Sequence, residues 1–358
     1  MGQKQLNKPI ILEEGHYNKT SLTNLRKNKI WQIIDIYKKQ LEELFEIKNP
    51  KLIKQTNFKE KQNKYVSNVL KNSDLKGNWI YFPWNGILIH SLNKNDYLQL
   101  RTNRNKNLIT AKEQKILYSA CVGVLGLSVG SGIAIGMQYQ GIAKNIKLAE
   151  FDTLETSNLN RVQAGIHQIG MKKSDIAIQK IYEINPYANP IVFENGLSKI
   201  NIKKFVRGKP KPDIIFEIID DFEVKVLVRL EARKARIPVV TFANLGDSIL
   251  SDIDRYDLDS KTPLFNGVLG EFTQEILEKP NEDKNKYAVK IVGIKNIPQR
   301  AMDSVKEIGK TLVGRPQLSS TVAINSALCV YVTRRIMLGD KELKGRKLLK
   351  FDEFLKNK

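Results

Sequence analysis

CVGVLGLSVGSGIA, residues 121–134, decides how this chain folds, together with IKLAEFD at 146–152. The first stretch runs as a short apolar segment into a cluster of glycine and serine, then continues as an uncharged, helix-like run. The second closes on two acids. A buried strand, a tight turn and a helix produce the first pattern, and a second buried strand ending at Glu150 and Asp152 produces the other. Small residues in such a turn leave backbone N–H groups open at the helix start, where a phosphate can come close. An acid about 20 positions on, at the end of the next strand, is placed to accept ribose hydroxyls. Without a ligand, the same residues make a turn that merely packs a helix on a strand, so the motif alone leaves both readings open.

Working outward, KSDIAIQKIYEINP (173–186) predicts a helix stopped before Pro186. NPIVFEN (189–195), PDIIFEIIDD (212–221) and IPVVTFAN (237–244) read as strands, with VKVLVRLEARKAR (224–236) as a helix between the last two. Strands alternating with helices predict an α/β domain with a mostly parallel sheet flanked by helices and right-handed crossovers. The segment 246–300 reads as irregular, and an apolar helix follows from Gln317 to Leu338. Residues 1–97 read as a smaller N-terminal α+β accessory unit, residues 98–340 as the nucleotide-binding domain, and residues 341–358 as a basic tail. In the first unit, IWQIIDIYKKQLEELFEI (30–47) has the three-to-four spacing of an amphipathic helix, and WIYFPWNGILIHSL (79–92) predicts strands around a turn at Pro83–Gly86.

Lys and Arg outnumber Asp and Glu by 59 to 38, a formal charge of +21. Such a balance attracts anions in general, but the basic residues are not interleaved with aromatics in the way that stacks bases, so no specific nucleic-acid binding is expected. Cys121 and Cys329 lie far apart, each in an apolar run. That spacing excludes a disulfide framework and a C-x-x-C zinc site; no zinc is expected, and both thiols suit the core of a cytoplasmic protein. MGQKQLNKPIILEEGHYNK lacks the apolar core of a secretory leader. Ile116 to Ala143 carries no charge and could span a bilayer by length, but its glycines, serines and Gln138, Tyr139 and Gln140 favour strand, turn and helix; no membrane segment is expected. His16, His90 and His167 have no neighbours at metal-ligand spacing.

After the acids come TLETSNLNR (153–161), HQIGMKKSDIA (167–177), EINP (183–186) and DIIFEIIDD (213–221), while LRTNRNKNLIT (100–110) precedes the first strand. In this order the segments resemble the ThiF/MoeB and ubiquitin-activating-enzyme superfamily, whose Rossmann-like domain adenylates a carboxylate with ATP and Mg²⁺ and releases pyrophosphate. GLSVGSGIA, AEFDTLETSNLNR and DRYDLDSKTPLFNGVLG (254–270) are also similar to a bacterial ThiF-like subgroup of unassigned role.

The resemblance implies roles. Gly126 and Gly130 would shape the nucleotide turn, with Ser128 standing where the fingerprint has a glycine. Glu150 would hold the ribose, and Asp152 would lie near Mg²⁺ and the phosphates. Asn158, Arg161 and Lys173 would contact phosphates. Asp220 would bind Mg²⁺ and aim the α-phosphate, and Arg104 would reach the triphosphate, often across a homodimer. Such chemistry drives like charges together, so cations and donors are needed where negative charge grows. The implied partners are a second copy of the chain and a carboxylate, either a small acid or the C-terminus of a peptide or small carrier protein. The chain departs from the pattern in having Glu150 where relatives have Asp. It also lacks a cysteine between Asn244 and Pro316, where relatives place a thioester-forming one, which favours direct transfer from the acyl-adenylate. Two other readings remain at this stage. A non-catalytic nucleotide-binding scaffold would keep the fold, and an NAD or FAD module would leave Arg161, Lys173 and Asp220 without work. Residue by residue, Arg161 and Lys173 also read as helix-end charges and Asp220–Asp221 as a helix N-cap.

Overall fold

Aromatic and β-branched residues in short runs build the N-terminal sheet. The computed structural model describes residues 7–71, 75–270 and 281–355. Its first unit comprises Met1–Ala111 and Tyr182–Tyr187. In chain order this unit carries β1 (Ile10–Leu12), α1 (Lys19–Arg26), β2 (Gln32–Asp35), α2 (Tyr37–Lys48), α3 (Phe58–Lys71), β3 (Asn78–Phe82), β4 (Ile87–Ser91) and α4 (Lys94–Arg101). The sheet order is β1-β3-β4-β2, with β3 and β4 antiparallel about the expected turn and β2 parallel to β4. Tyr37, Leu41, Leu44, Val66 and Leu92 form one small core. His90 lies stacked between Tyr37 and Trp79, with ring centroids 4.6 and 4.4 Å away.

The helix expected over 30–47 begins only at Tyr37. Ile33 and Ile34 are β-branched and pair instead with Leu88 and Ile89 of β4. Asp35 Oδ1 then accepts the Tyr37 N–H at 3.1 Å, turning the chain from strand into helix.

The second unit comprises Lys112–Ile181 and Ala188–Lys358. Around it the chain forms α5 (Ala111–Ser119), β5 (Cys121–Leu125), α6 (Leu127–Tyr139), β6 (Asn145–Ala149), α7 (Lys173–Ile184), β7 (Asn189–Phe193), α8 (Ile202–Arg207), β8 (Ile214–Glu217), α9 (Phe222–Ala235), β9 (Val239–Asn244), β10 (Ser248–Asp254), α10 (Asn281–Val292), α11 (Gln299–Lys306), α12 (Ser319–Met337), β11 (Gly345–Lys350) and α13 (Phe351–Leu355). The sheet order is β11-β10-β9-β8-β5-β6-β7. Strands β7, β6, β5, β8 and β9 run parallel, while β10 and β11 are antiparallel additions. Strand order reverses at β5, and in such sheets a ligand crevice opens outside the carboxyl ends at that point. Residues from α8 and α9, including Phe205, Val226 and Ala232, form a core with Ile215 and Val239. Helix α6 packs closely on α12: a Cβ on Gly136 would lie 2.9 Å from Val330 Cγ2.

Two sequence expectations are corrected by the sheet. The segment 246–300 is not irregular throughout, because SILSDID forms β10 and Asn281–Val292 is helical; residues 271–280 lie outside the described residues. Its acids, Asp252 and Asp254, look like loop residues but are buried and ion-paired. The basic tail is not separate either: β11 pairs with β10, Leu348 opposite Leu250, and residues 356–358 lie outside the described residues. The uncharged stretch 116–143 is shared among α5, β5 and α6, and no helix of the described residues is long and apolar enough to cross a membrane.

Candidate functional site

Strand β5 ends at Leu125, and Gly126 takes φ +80°, a conformation that costs glycine little. A Cβ there would collide with the Ile218 carbonyl oxygen and stand 3.0 Å from Ile219 Cγ2, so the turn touches the β8–α9 loop. Helix α6 starts without a side-chain cap at Gly126. N–H groups of a first helical turn lack intrahelical partners and carry a positive partial charge. Gly130 sits one turn into α6, where a Cβ would stand 2.6 Å from Val124 Cγ1, so it serves helix-on-strand packing and not the turn itself.

Glu150, at the end of β6, is buried and organises this turn. Its Oε2 accepts the Leu127 N–H at 2.7 Å, and its Oε1 accepts those of Phe151 and Asp152 at 2.8 and 3.0 Å. An ionised carboxylate offers about four acceptor sites, so one remains for a hydroxyl. Asp152 Oδ2 lies 2.9 Å from Lys173 Nζ, which also donates to Ser128 Oγ at 3.3 Å. The lysine side chain is only 6% exposed and the aspartate 50%, so a cation is held at the start of α6 with one carboxylate still open to solvent.

The neighbouring loop is arranged differently. Asn158 is buried and caps its own turn, its Oδ1 accepting the Glu155 N–H at 3.2 Å. Arg161 donates from Nη1 to Ser157 O at 3.3 Å and to Asn160 Oδ1 at 2.8 Å, while its buried Nε has no partner. Burial pulls its guanidinium below the usual arginine range. Arg161 lines a cleft of about 260 Å³ together with Gly132, Gly136, Ser319 and Ser326. Asp220 lies on the loop that follows β8, exposed and ion-paired with Arg315. Asp221 is the N-cap of α9, accepting the Val224 N–H at 2.9 Å, as the capping alternative expected of one member of this pair. Arg104 lies in a 3-10 turn, Asn103–Asn105, of the first unit.

Gly126, Ser128, Glu150, Asp152 and Lys173 are therefore brought together, and the loop bearing Asp220 abuts the turn. Among the described residues no group of three or more His, Cys, Asp or Glu converges as a metal site. Mg²⁺ carried by a nucleotide commonly uses one or two protein carboxylates with phosphate oxygens and water, and the open carboxylates of Asp152 and Asp220 suit that chemistry. A sequence model of the ThiF family matches residues 101–357.

The chain belongs to the ThiF family.

Curated relatives include an uncharacterised protein of Mycobacterium tuberculosis, 34% identical over 269 residues, covering 75% of this chain and 37% of that protein. A probable molybdopterin-synthase adenylyltransferase of Porphyra purpurea is 35% identical over 130 residues, covering 35% of this chain and 32% of that protein. The chain thus spans about a third of the length of these relatives. Among solved structures, tRNA N6-threonylcarbamoyladenosine dehydratase of E. coli in complex with AMP superposes with a TM-score of 0.50 at 18% identity, covering 69% of this chain and 98% of that one. At that identity the likeness is one of fold.

Sequence reasoning missed two features of this ThiF-family site. Arg315, the partner of Asp220, lies in a stretch without periodicity, and only the Gly-Arg-Pro sequence at 314–316 marks it. The second is a polar knot beneath the Asp220 loop. Glu217 is fully buried in β8 and pairs with Lys225 at 2.7 Å and with Arg229, also fully buried, at 2.7 Å. Burial raises the Glu217 carboxyl pKa, but Lys225 and Arg229 outweigh it and leave it below the usual range. Asp254, which shares Arg229 at 2.9 Å, is pushed up to about 6, chiefly by burial. The available signal was an acid inside the apolar run DIIFEII with basic residues eight and twelve positions later.

Proposed function

We propose that this ThiF-family chain is an ATP-dependent adenylyltransferase that activates a carboxylate and releases pyrophosphate. The observation that carries the reading is the convergence of Lys173 on Ser128 and Asp152 at the start of α6, whose first N–H is taken by Glu150. A triphosphate needs that combination of cation and open amides, with an acid on the ribose side.

In the reaction, a carboxylate oxygen attacks the α-phosphorus. A new P–O bond forms, the bond to the bridging oxygen breaks, and pyrophosphate leaves with the electron pair, giving an acyl-adenylate. Glu150 takes a ribose hydroxyl on its remaining acceptor site. Lys173 holds the phosphates; Asn158 and Arg161 would join it by exchanging their present loop contacts for the nucleotide, with Arg104 contributed across a homodimer. Asp152 and Asp220 would hold Mg²⁺, which would supply neutralising charge at the phosphates. Asp220 also orients the α-phosphate, and this role requires it to exchange Arg315 for the nucleotide. The side chains supply position and charge and no covalent intermediate.

Both thiols are poor nucleophiles: burial pushes Cys121 up to about 12 and Cys329 well above its ordinary value. This supports direct use of the acyl-adenylate without a thioester, the substrate being a small acid or the C-terminus of a peptide or carrier protein. Thermal shift separates this reading from a dinucleotide module. Mg·ATP stabilises the protein, NAD and FAD do not, and Asp220→Asn removes the Mg²⁺-dependent part. Stabilisation by NAD or FAD with none by Mg·ATP would refute it.

A further inference from the structure

Glu217, Arg229 and Asp254 are buried charges that the proposed chemistry leaves without a task. Burying an ion pair seldom stabilises a protein more than an apolar replacement of the same shape would, so a knot of this kind calls for a reason beyond stability. Every nitrogen of the Arg229 guanidinium is used. Nε donates to Asp254 Oδ2 at 2.9 Å, Nη1 to Glu217 Oε2 at 2.7 Å and Lys225 O at 3.2 Å, and Nη2 to Thr241 Oγ1 at 2.8 Å. Its plane is fixed further by the Phe265 ring, with Cζ 3.9 Å from the centroid. Phe265 and Asn266 both have positive φ, and Asn266 N donates to the second oxygen of Asp254 at 3.0 Å.

What this fork orients is the Glu217 carboxylate, and that carboxylate faces the loop. Glu217 Oε1 accepts the Ile219 N–H at 3.2 Å, while the Ile218 N–H donates to Leu125 O at 3.0 Å. The Ile218 carbonyl in turn packs against Gly126. A continuous path therefore runs from Arg229 through Glu217 to the two residues that precede Asp220 and touch the glycine turn. Lys225 alone could neutralise Glu217, but as a rotatable point charge it does not fix the direction of a carboxylate as a planar fork does.

We propose that Arg229 is a positioning residue, which through Glu217 holds the Ile218–Asp220 loop against the Gly126 turn so that Asp220 is set for the metal-bearing phosphates. This rests on the ATP-site reading above.

Two variants test it. Arg229→Lys keeps the charge and loses the fork, while Thr241→Val keeps the shape and removes the hydroxyl shared by Arg229 and Glu217. Each is made alone and in an Asp220→Ala background. In either variant that retains the wild-type circular dichroism spectrum, amide exchange at Ile219 in nucleotide-free protein speeds up about tenfold or more. Calorimetric affinity for Mg·ATP falls about tenfold, affinity for ATP in EDTA is unchanged, and the loss disappears in the Asp220→Ala background because the two changes act through one group. Unchanged exchange at Ile219, or a full additive loss on top of Asp220→Ala, would overturn the proposal; a uniform fall with and without Mg²⁺ would likewise mark a merely structural role. If wild-type protein binds no Mg·ATP, the ATP reading fails by itself, and exchange at Ile219 still decides whether Arg229 holds the loop.

Discussion

At the end of β6, Glu150 and Asp152 keep acceptor sites in reserve, one at the start of α6 and one half exposed. Across the sheet, Glu217, Asp252 and Asp254 are sealed and shared among Arg229, Lys225, Arg346 and Asn266. Both groups are acids on one sheet, but the first lies at an open helix start or half exposed, and the second is buried among cations of the chain's own. An acid that a donor or a cation from outside can still reach is a candidate for binding, whereas an acid buried against cations of its own chain can act only through what it holds in place. That contrast divides the molecule's polar residues more usefully than their burial does, since Lys173 is buried and belongs to the open group.

The sharpest way to break the comparison is Arg229→Met. If the sealed group is a network built on Arg229, removing that cation leaves Asp254 without its buried partner and Glu217 with Lys225 alone, and denaturant unfolding shows a loss of about 3–5 kcal/mol. A loss below about 1 kcal/mol would place it with surface ion pairs. Lys173→Met acts on the open group and separates binding from stability. Mg·ATP affinity falls about 100-fold, equivalent to about 2.7 kcal/mol, while unfolding free energy changes by less than about 1 kcal/mol. Glu150→Gln stands between the two groups, because an amide has one oxygen where the carboxylate uses two on three N–H groups. It costs about 1–2 kcal/mol of stability and weakens nucleotide binding by about tenfold.

A smaller effect sharpens the contrast by pH. Asp254, pushed up to about 6 by burial with Arg229 acting against it, holds a proton in the folded state more tightly than the unfolded chain does near its ordinary value of about 3.9. Its contribution to stability therefore grows as pH falls from 7 through 6 towards 4 and is lost as pH rises through 6. Glu217, held by two cations, stays ionised over that range. In urea unfolding, wild type gains stability relative to Asp254→Asn as pH is lowered across this window; a constant difference would show that the carboxyl keeps its ordinary value. The least effect is expected at Arg315→Ala, which alters stability by less than about 0.5 kcal/mol because both partners of its ion pair with Asp220 are exposed.

Much of the open group was legible in sequence, because glycine at a positive φ and acids at strand ends leave marks that need no partner to be read. Gly126, Glu150 and Lys173 all sit in such local patterns. The sealed group was hidden because its meaning is nonlocal. Asp252 and Asp254 resemble loop residues until Arg229 and Arg346 arrive from other elements, and so β10 reads as irregular chain. Lys225 and Arg229, one helical turn apart on α9, look onto the sheet, and nothing in their own helix marks the acids they meet there. Likewise IIDI at 33–36 fits either period, and only the partner strand β4 decides for extended backbone.

A crystal structure with Mg²⁺ and a non-hydrolysable ATP analogue tests the central claim most directly. The account predicts ribose hydroxyls on Glu150, phosphate oxygens on Lys173 and the amides at the start of α6, and the metal ligated by Asp152 or by an Asp220 released from Arg315. An analogue bound away from the Gly126 turn, or bound there with both aspartates turned from the metal, would contradict it.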